Sequence, residues 1–209
     1  MQKKVRTMKL YYSPGTCSLS DHIALEWIGQ PYEAVAVSRE QRQSPEYLKI
    51  NPSGAVPVFD VDGWILTQNA AILNYLADSY PEAGLGGDGS ARNRADINKW
   101  LAFLNADVHP TFVPLFGSTA YLGDDAAIEK TKAAARSKLR GLFGQANGQL
   151  AGKNWLTGTR SIADPYLFVV LRWAKAMNID LSGFDNLERF FHAMLADTGV
   201  QAAMKAEGL

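Results

Sequence analysis

The one cysteine of this 209-residue chain stands where a reactive thiol would be placed. Cys17 lies in the stretch LYYSPGTCSLSDHI, after a predicted strand and at the first turn of a predicted helix. The free N–H groups and the positive dipole end of a helix N-terminus favour a thiolate and lower the pKa of its thiol. A free cysteine is also among the most buried residue types and often only packs. Position alone leaves both interpretations of Cys17 open.

A second stretch, NPSGAVPVF, carries a proline at the start of a predicted strand. Pro57 has no N–H to give to a sheet, so it belongs at the first residue of that strand. A cis Val56–Pro57 bond would turn the backbone groups of Val56 outward, where an extended peptide can pair with them. The alternative is a trans proline, which is by far the commoner isomer.

A third stretch, LTQNAAILNYLADSYP, predicts a helix whose start can hold an anion. Thr67 is the expected N-cap, and Gln68 and Asn69 fall in the first turn. Free N–H groups together with two side-chain amides make a site for a carboxylate. Simple capping of the helix is the alternative interpretation.

The stretch SIADPYLFVVLRW has the pattern of a capping box. Ser161 is the expected N-cap and Asp164 the residue that reaches back to it, ahead of a nearly unbroken apolar run. Such a helix is buried on most sides, so its start must be satisfied by its own side chains. We therefore assign both residues a structural role.

The three histidines, His22, His109 and His192, show no spacing typical of metal ligands. The glycine-rich segment GLGGDG follows a predicted helix rather than a strand, so it indicates a linker and not a nucleotide site. We expect no metal and no permanently bound cofactor.

Composition narrows the class of protein. The chain has 21 basic and 21 acidic residues, which argues against a protein built to hold nucleic acid or an anionic membrane. A single cysteine cannot form an internal disulfide, which favours a reducing cytoplasm. No signal peptide and no transmembrane run stand out. Met8 is a candidate start, with residues 1–7 as an extension.

Two halves of different architecture are predicted. Strands are expected at 8–12, 32–37 and 56–66, the last a hairpin, and helices at 17–29, 44–50 and 67–80. Residues 81–90, PEAGLGGDGS, are typical of a linker. Beyond it only helices are expected, at 91–121, 125–150, 162–177 and 187–206. The fold class is therefore α/β followed by all-α.

Taken together and in this order, these motifs resemble the cytosolic glutathione transferases, particularly the bacterial beta class. The segments that carry the resemblance are MKLYYSPGTCSLSDHIAL, NPSGAVPVF, LTQNAAILNYLAD, HPTFVPLF and SIADPYLFVVLRWA. It implies a thioredoxin-like, glutathione-binding domain at 8–80 and a helical domain at 91–209. It also implies a homodimer, with reduced glutathione and a small apolar electrophile as substrates.

The resemblance assigns residues to the glutathione sulfur and to the cysteinyl part of glutathione. Cys17 matches the beta-class cysteine that contacts the sulfur or forms a mixed disulfide with it. His109 matches the histidine that points at the same thiol. Val56 matches the residue whose backbone pairs with the cysteinyl part, and Pro57 the family's cis-proline.

Other positions take supporting roles in the resemblance. Tyr12 matches the strand-end tyrosine, which is not the main activator in the beta class, and Ser18 is a further candidate donor. Gln68 and Asn69 match the residues that hold the γ-glutamyl end, although Asn69 is bulkier than usual there. The electrophile pocket is expected around Phe112, Phe116 and Tyr121, and Ser161 with Asp164 match the family's capping box.

Three functions follow from these expectations. The first is conjugation of reduced glutathione to a small apolar electrophile, in which a thiolate must be stabilised near neutral pH. The second is thiol–disulfide exchange through Cys17, with free glutathione as the resolving thiol. The third is a non-catalytic ligand-binding or interaction protein on the same fold.

Overall fold

The computed structural model describes residues 6–209, which form two compact units. The first unit comprises the described residues through Gly86 together with Leu195–Leu209, and the second is Gly87–Met194. The break at Gly86 falls inside the predicted linker. The last fifteen residues, expected with the helical half, instead belong to the first unit.

The first unit is built on a four-stranded sheet of order β2-β1-β3-β4. The strands are β1 (Met8–Tyr12), β2 (Glu33–Ala36), β3 (Val58–Val61) and β4 (Trp64–Thr67). β1 runs parallel to β2 and antiparallel to β3, so Leu10 lies between Ala34 and Phe59. The predicted hairpin turns at Asp62 and Gly63, which both take positive φ. This is the turn geometry that Asp-Gly favours.

Four helices complete the first unit: α1 (Ser18–Ile28), α2 (Pro45–Ile50), α3 (Asn69–Ser79) and α9 (Thr198–Glu207). α1 packs against both α3 and α9. Its apolar residues Leu19, Ile23 and Ala24 are completely buried, as the helical spacing of the sequence predicts.

The prediction of one helix over 187–206 is wrong. Two helices occupy this region, α8 (Asp185–Ala196) and α9, and they are separated by Asp197. The backbone of Asp197 is extended, and its carboxylate accepts hydrogen bonds from the N–H groups of Gly199 and Val200 at 2.9 and 3.0 Å. An N-cap of this kind starts a new helix, which is why the predicted helix is interrupted at Asp197.

The second unit contains α4 (Ala91–Ala102), α5 (His109–Phe112), α6 (Asp125–Gln149) and α7 (Ala163–Ala176), together with most of α8. The predicted continuous helix over 91–121 is also wrong. A π-helical segment, Phe103–Val108, precedes α5, and a 3-10 turn, Val113–Phe116, follows it. Pro110 and Pro114 lack the N–H groups that a regular helix needs in these turns.

α7 is the central helix of the second unit. Every residue from Ala163 to Leu171 is buried, which agrees with the apolar run in the sequence. Within residues 6–209, no helix has both the length and the apolar character needed to cross a bilayer.

The predicted extension at 1–7 lies mostly outside the described residues. Thr7, its last residue, is held in place: its N–H donates to Asp62 Oδ1 and its carbonyl accepts from the Asp62 N–H, each at 3.0 Å. Thr7 therefore belongs to the folded sheet.

Candidate functional site

The loop between β1 and α1 presents the cysteine. It leaves the sheet at Tyr12, turns at Gly15 with φ 70° and reaches Cys17 immediately before α1. Ser18 is the first residue of α1, and its hydroxyl faces this loop. It lies 2.8 Å from the Thr16 hydroxyl and accepts a hydrogen bond from the Ser13 N–H at 3.3 Å. Ser18 thus stabilises the loop in this structure.

The Cys17 thiol is protonated at neutral pH. Burial, the largest cause, raises its pKa to about 12, although backbone N–H groups at the helix start act in the opposite direction. Of the two interpretations that position alone leaves open, the structure favours a buried, protonated thiol, because desolvation outweighs the dipole. Sγ lies 3.6 Å from the Val56 carbonyl oxygen and donates a weak hydrogen bond to it.

The Val56–Pro57 peptide bond is cis, as the resemblance implied. The carbonyl of the preceding residue, Ala55, accepts hydrogen bonds from the Tyr47 hydroxyl and from the Asn51 side-chain amide, both at 2.8 Å. These two bonds hold the chain that leads into the cis bond. Together with the contact to Cys17, they place Val56 beside the start of α1.

The start of α3 differs from the prediction. Thr67 ends β4 instead of capping the helix, and Gln68 occupies the cap position with no side-chain hydrogen bond to the helix. Gln68 has φ 74°, a conformation that is strained for a residue other than glycine. Such strain is concentrated at functional sites.

The Asn69 side chain is buried and bonded to α1. Its amide nitrogen donates to Ser20 Oγ at 2.6 Å, Asp21 Oδ2 at 2.8 Å and the Cys17 carbonyl at 3.1 Å. These contacts join the first turn of α3 to the first turn of α1. Contact of Asn69 with a γ-glutamyl group stays a prediction. The backbone N–H of Asn69, at the start of α3, is the group placed to make that contact.

Sequence reasoning missed the C-terminal end of the chain. Glu207, at the end of α9, pairs with His22 at 2.9 Å and accepts a hydrogen bond from the Gly15 N–H at 2.8 Å. The Tyr12 hydroxyl donates to the carbonyl of Ala206 at 3.3 Å. The loop that presents Cys17 is thus held by residues almost two hundred positions away, for which no local pattern gives a signal.

One cationic side chain near this loop has an unused donor. Arg42 Nε is buried and has no hydrogen-bond partner among the described residues. The charge of Arg42 also acts on the Cys17 thiol, where it favours the ionised form. Arg42 is therefore equipped to receive an anion.

In the second unit, His109 is fixed by a tyrosine. Its Nδ1 lies 2.6 Å from the Tyr166 hydroxyl, which also points at Asn105 Oδ1 at 3.3 Å. The imidazole packs edge-on against Trp173, with ring centroids 4.8 Å apart. Burial lowers the pKa of His109, so the imidazole is neutral at pH 7.

Two of the three predicted pocket residues share this aromatic surface. Phe112 and Phe116 stack on each other with centroids 5.8 Å apart, and both contact Trp173. Tyr121 is 84% exposed and makes no ring contact within the described residues. The structure thus brings His109, Phe112 and Phe116 together around Trp173, which the sequence did not single out.

Ser161 and Asp164 form the expected reciprocal contacts at α7, although the helix begins at Ala163. Asp164 Oδ2 accepts from the Ser161 N–H at 2.8 Å and from its hydroxyl at 3.0 Å, while Ser161 Oγ accepts from the Ala163 N–H at 3.3 Å. Asp164 Oδ1 accepts from the Leu156 N–H at 2.9 Å. This carboxyl therefore has a structural role.

The part of the chain that the structure describes contains no candidate metal site. Among those residues, no group of three or more His, Cys, Asp or Glu side chains is arranged to hold a metal ion.

Comparison with known proteins agrees with this arrangement. The family model of the glutathione S-transferase N-terminal domain matches residues 6–78, and that of the C-terminal domain matches 97–197. Glutathione S-transferase GST-4.5 of Xanthomonas campestris pv. campestris is 59% identical over 203 residues, covering 97% of this chain and 100% of its own length.

Two solved structures extend the comparison. A glutathione S-transferase from Xylella fastidiosa superimposes with a TM-score of 0.95 at 54% identity, covering 97% of this chain and 99% of its own. A sphingomonad glutathione S-transferase complexed with glutathione gives 0.84 at 38% identity, covering 96% and 99%. The chain belongs to the glutathione S-transferase family, and its activity is the transfer of glutathione to an electrophile.

Proposed function

We propose that this glutathione transferase is of the beta class and conjugates reduced glutathione to small apolar electrophiles, as a cytoplasmic homodimer that serves detoxification. The observation that carries the proposal is the convergence on Cys17 of a cis Val56–Pro57 bond and the first turns of α1 and α3. Each of these offers backbone groups that a peptide such as glutathione can bind.

Glutathione has three parts, and the first unit offers a group for each. The backbone of Val56 pairs with the cysteinyl part, and the start of α3, at Gln68 and Asn69, receives the γ-glutamyl carboxylate. We assign the glycine carboxylate to Arg42, whose buried Nε has no hydrogen-bond acceptor among residues 6–209. A guanidinium is the side chain best suited to a carboxylate.

The chemical step needs glutathione as a thiolate. The sulfur loses its proton to solvent, attacks the electrophilic carbon and displaces the leaving group with its bonding electrons. Neutral donors stabilise the thiolate before attack, and we assign this role to the Cys17 S–H and to the neutral imidazole of His109, with Tyr12 and Ser18 supporting the loop.

The electrophile is proposed to bind at the aromatic surface of the second unit. Phe116 is 47% exposed and stacks on the buried Phe112, which gives an apolar face with rigid rings. Such a surface selects for apolar character rather than for one molecule.

The homodimer is supported by the free edge of the sheet. β4 is an edge strand, and its side chains Trp64 and Ile65 are 50% and 36% exposed. Exposed apolar residues on an edge strand favour burial against another chain. Light scattering after gel filtration tests this, and a monomeric mass would remove the homodimer.

Thiol–disulfide exchange is less well supported, because a thiol whose pKa is about 12 is almost entirely protonated at neutral pH. The Cys17→Ala variant separates the functions. We expect it to conjugate a chloronitrobenzene at a reduced rate, while loss of disulfide reduction with full conjugation would favour exchange.

The whole proposal is tested by the release of chloride from the chloronitrobenzene in the presence of reduced glutathione. We expect conjugation by the wild type. Undetectable conjugation, with glutathione binding intact by calorimetry, would exclude this class of electrophile.

A further inference from the structure

Asp21 is a completely buried carboxyl in the first turns of α1. Its Oδ2 accepts one hydrogen bond, from the Asn69 side-chain amide at 2.8 Å. Its Oδ1 is buried and has no hydrogen-bond partner among the described residues. A carboxylate is an acceptor only, so an ionised Asp21 would leave half of its charge unsolvated in the protein interior.

The charged groups around Asp21 do not offset a negative charge there. Cys17 and His22 lie on its own helix segment, and His22 is already paired with Glu207 of α9. Glu207 is itself an acid and opposes a second negative charge. From α3 the group that reaches Asp21 is the uncharged amide of Asn69. Within residues 6–209, no lysine or arginine pairs with Asp21.

The orientation of the Asn69 amide is fixed by chemistry. Its nitrogen lies within hydrogen-bond distance of Asp21 Oδ2, Ser20 Oγ and the Cys17 carbonyl. A carbonyl can only accept, so the atom on this side must be the NH₂ group. The remaining polar atom of the same amide is its oxygen, Oδ1, which is also buried and has no donor among the described residues.

Two residues that already share one hydrogen bond thus each have one buried oxygen without a donor among the described residues: the second carboxyl oxygen of Asp21 and the amide oxygen of Asn69. A single proton removes both deficits at once. We propose that Asp21 is a protonated carboxylic acid in the folded enzyme, and that its Oδ1–H donates to Asn69 Oδ1 while Asn69 Nδ2–H donates to Asp21 Oδ2. This reciprocal acid–amide pair makes Asp21 a positioning residue that joins α1 to α3.

Burial acts in the direction that the pair requires. Desolvation raises the pKa of Asp21 well above its usual value, and it exceeds the opposite effect of the Asn69 hydrogen bond. An ionised Asp21 would also place a negative charge next to Cys17 and partly cancel the positive end of α1.

The pair matters for catalysis because it fixes two helix starts relative to each other. Cys17 and Ser18 stand at one of them and Gln68 and Asn69 at the other. In the proposed function, the start of α1 lies at the cysteinyl part of glutathione and the start of α3 binds the γ-glutamyl part. The functional half of the inference rests on that proposal, whereas the protonation state of Asp21 does not.

The Asp21→Asn variant is the matched control. A carboxamide offers one donor and one acceptor, so it can form the same reciprocal pair with Asn69 without a titratable proton. The Asp21→Leu variant has a similar volume and removes the pair. If the leucine variant does not fold, the asparagine variant and the spectroscopic measurement below still decide the question.

The first measurement is the unfolding constant as a function of pH, in wild type and in Asp21→Asn. The proton on Asp21 is held by the folded state, so it stabilises fully below about pH 4, the pKa of an unfolded aspartate. The contribution is lost as the pH rises towards the folded pKa. Relative to Asp21→Asn, we expect the wild-type unfolding constant to rise by up to about tenfold per pH unit in this window. Parallel curves would overturn the proposal.

The second measurement is the ¹³C carboxyl spectrum of the enzyme labelled at aspartate, with Asp21 identified by its absence in Asp21→Asn. We expect the chemical shift of a protonated acid at pH 7. The shift of a carboxylate at that pH would mean that a buried water hydrates an ionised Asp21, and the proposal would be wrong.

The functional half is read from glutathione kinetics at pH 7. Displacing a positioned helix start by a fraction of an ångström weakens substrate alignment. We expect Asp21→Leu to raise the KM for glutathione by about tenfold, with a smaller change in kcat, and Asp21→Asn to restore both. Unchanged KM in Asp21→Leu, with the acid signal present in wild type, would remove the positioning role. An absence of conjugation in every variant would instead count against the proposed function.

Discussion

Two aspartates are completely buried near the start of a helix, and they are satisfied in opposite ways. Asp164, at the start of α7 in the second unit, accepts three hydrogen bonds that use both carboxyl oxygens. Asp21, in α1 of the first unit, accepts one and leaves an oxygen without a donor. Burial is the largest cause of the pKa shift of both carboxyls. The pKa of Asp164 nevertheless rises only to about 6, while that of Asp21 rises well above its usual value.

The difference shows that the number of donors, more than the depth of burial, decides which form a buried carboxyl takes. Backbone N–H groups and a hydroxyl offset most of the desolvation of Asp164, so it remains a carboxylate at neutral pH. Asp21 has an amide as its partner, and an amide brings an acceptor along with its donor. The amide pairs fully only with an acid that keeps its proton.

The largest expected effect is the loss of the Asp164 carboxyl. Asp164→Ala leaves three buried donors, the N–H groups of Leu156 and Ser161 and the Ser161 hydroxyl, without an acceptor. We expect the free energy of unfolding to fall by about 4 kcal/mol. Urea unfolding followed by circular dichroism measures it.

The control for Asp164 is Ser161→Ala, which removes the hydroxyl with its two contacts, to Asp164 Oδ2 and to the Ala163 N–H, and leaves the carboxyl in place. That variant should lose about 1 kcal/mol. Equal losses in the two variants would mean that the carboxyl is no more than a cap.

Glu207 provides an intermediate case in the first unit. Its two oxygens have two partners, the imidazole of His22 and the Gly15 N–H, and both side chains of the pair are buried. Glu207→Ala leaves these partners unsatisfied, so we expect a loss of about 3 kcal/mol. The exposed pair of Lys9 and Glu33 is the control, and Glu33→Gln should cause no measurable change in urea unfolding. A small loss in Glu207→Ala would show that water replaces the carboxylate.

The pKa of Asp164 predicts a pH dependence of stability. The folded pKa of about 6 lies above that of an unfolded aspartate, near 4, so the folded state binds the proton more tightly. The stabilisation is fully present below about pH 4 and is lost as the pH rises to about 6. We expect the free energy of unfolding to fall by up to about 1.4 kcal/mol per pH unit in this window.

Asp164→Asn should lack the part of this fall that comes from Asp164, since it has no proton to lose there, while the contribution of Asp21 is common to both chains. Urea unfolding between pH 4 and pH 8 compares the two chains. A wild-type curve that keeps falling relative to Asp164→Asn above pH 7 would place Asp164 with Asp21, and the contrast between the two carboxyls would disappear.

Local patterns predicted most of the strands and helices, although the single helices over 91–121 and 187–206 and the Thr67 cap were wrong. β1 spans the predicted residues, and α1, α6 and α7 begin or end within one residue of prediction, because periodicity, glycine and capping residues act over a few positions. Ser161 and Asp164 were assigned correctly for the same reason: the two residues that meet are three apart.

The contacts of the site that the sequence did not predict depend on residues far apart in the chain. Position alone could not decide between a reactive and a packed Cys17, whose pKa rises because the surrounding chain removes water from the thiol. The bonds of the Asn69 amide to the start of α1, some fifty residues earlier, were not predicted, while its contact with a γ-glutamyl group stays a prediction. Glu207 and His22 meet across 185 positions. A helix start can be predicted from its own residues, whereas the solvation of its side chains cannot.

The smallest expected effect tests how firmly the first-unit network holds the Asn69 amide. Ser20 Oγ is one of three acceptors around an NH₂ group that has only two hydrogens. Ser20→Ala removes it, yet Asp21 Oδ2 and the Cys17 carbonyl still satisfy both hydrogens. We therefore expect a loss of about 0.5 kcal/mol in urea unfolding and an unchanged KM for glutathione. Ser161→Ala is the matched serine in the second unit and should cost more, because there the hydroxyl is the acceptor for a helical N–H. A larger loss in Ser20→Ala than in Ser161→Ala would mean that Ser20, rather than Asp21, fixes the amide of Asn69.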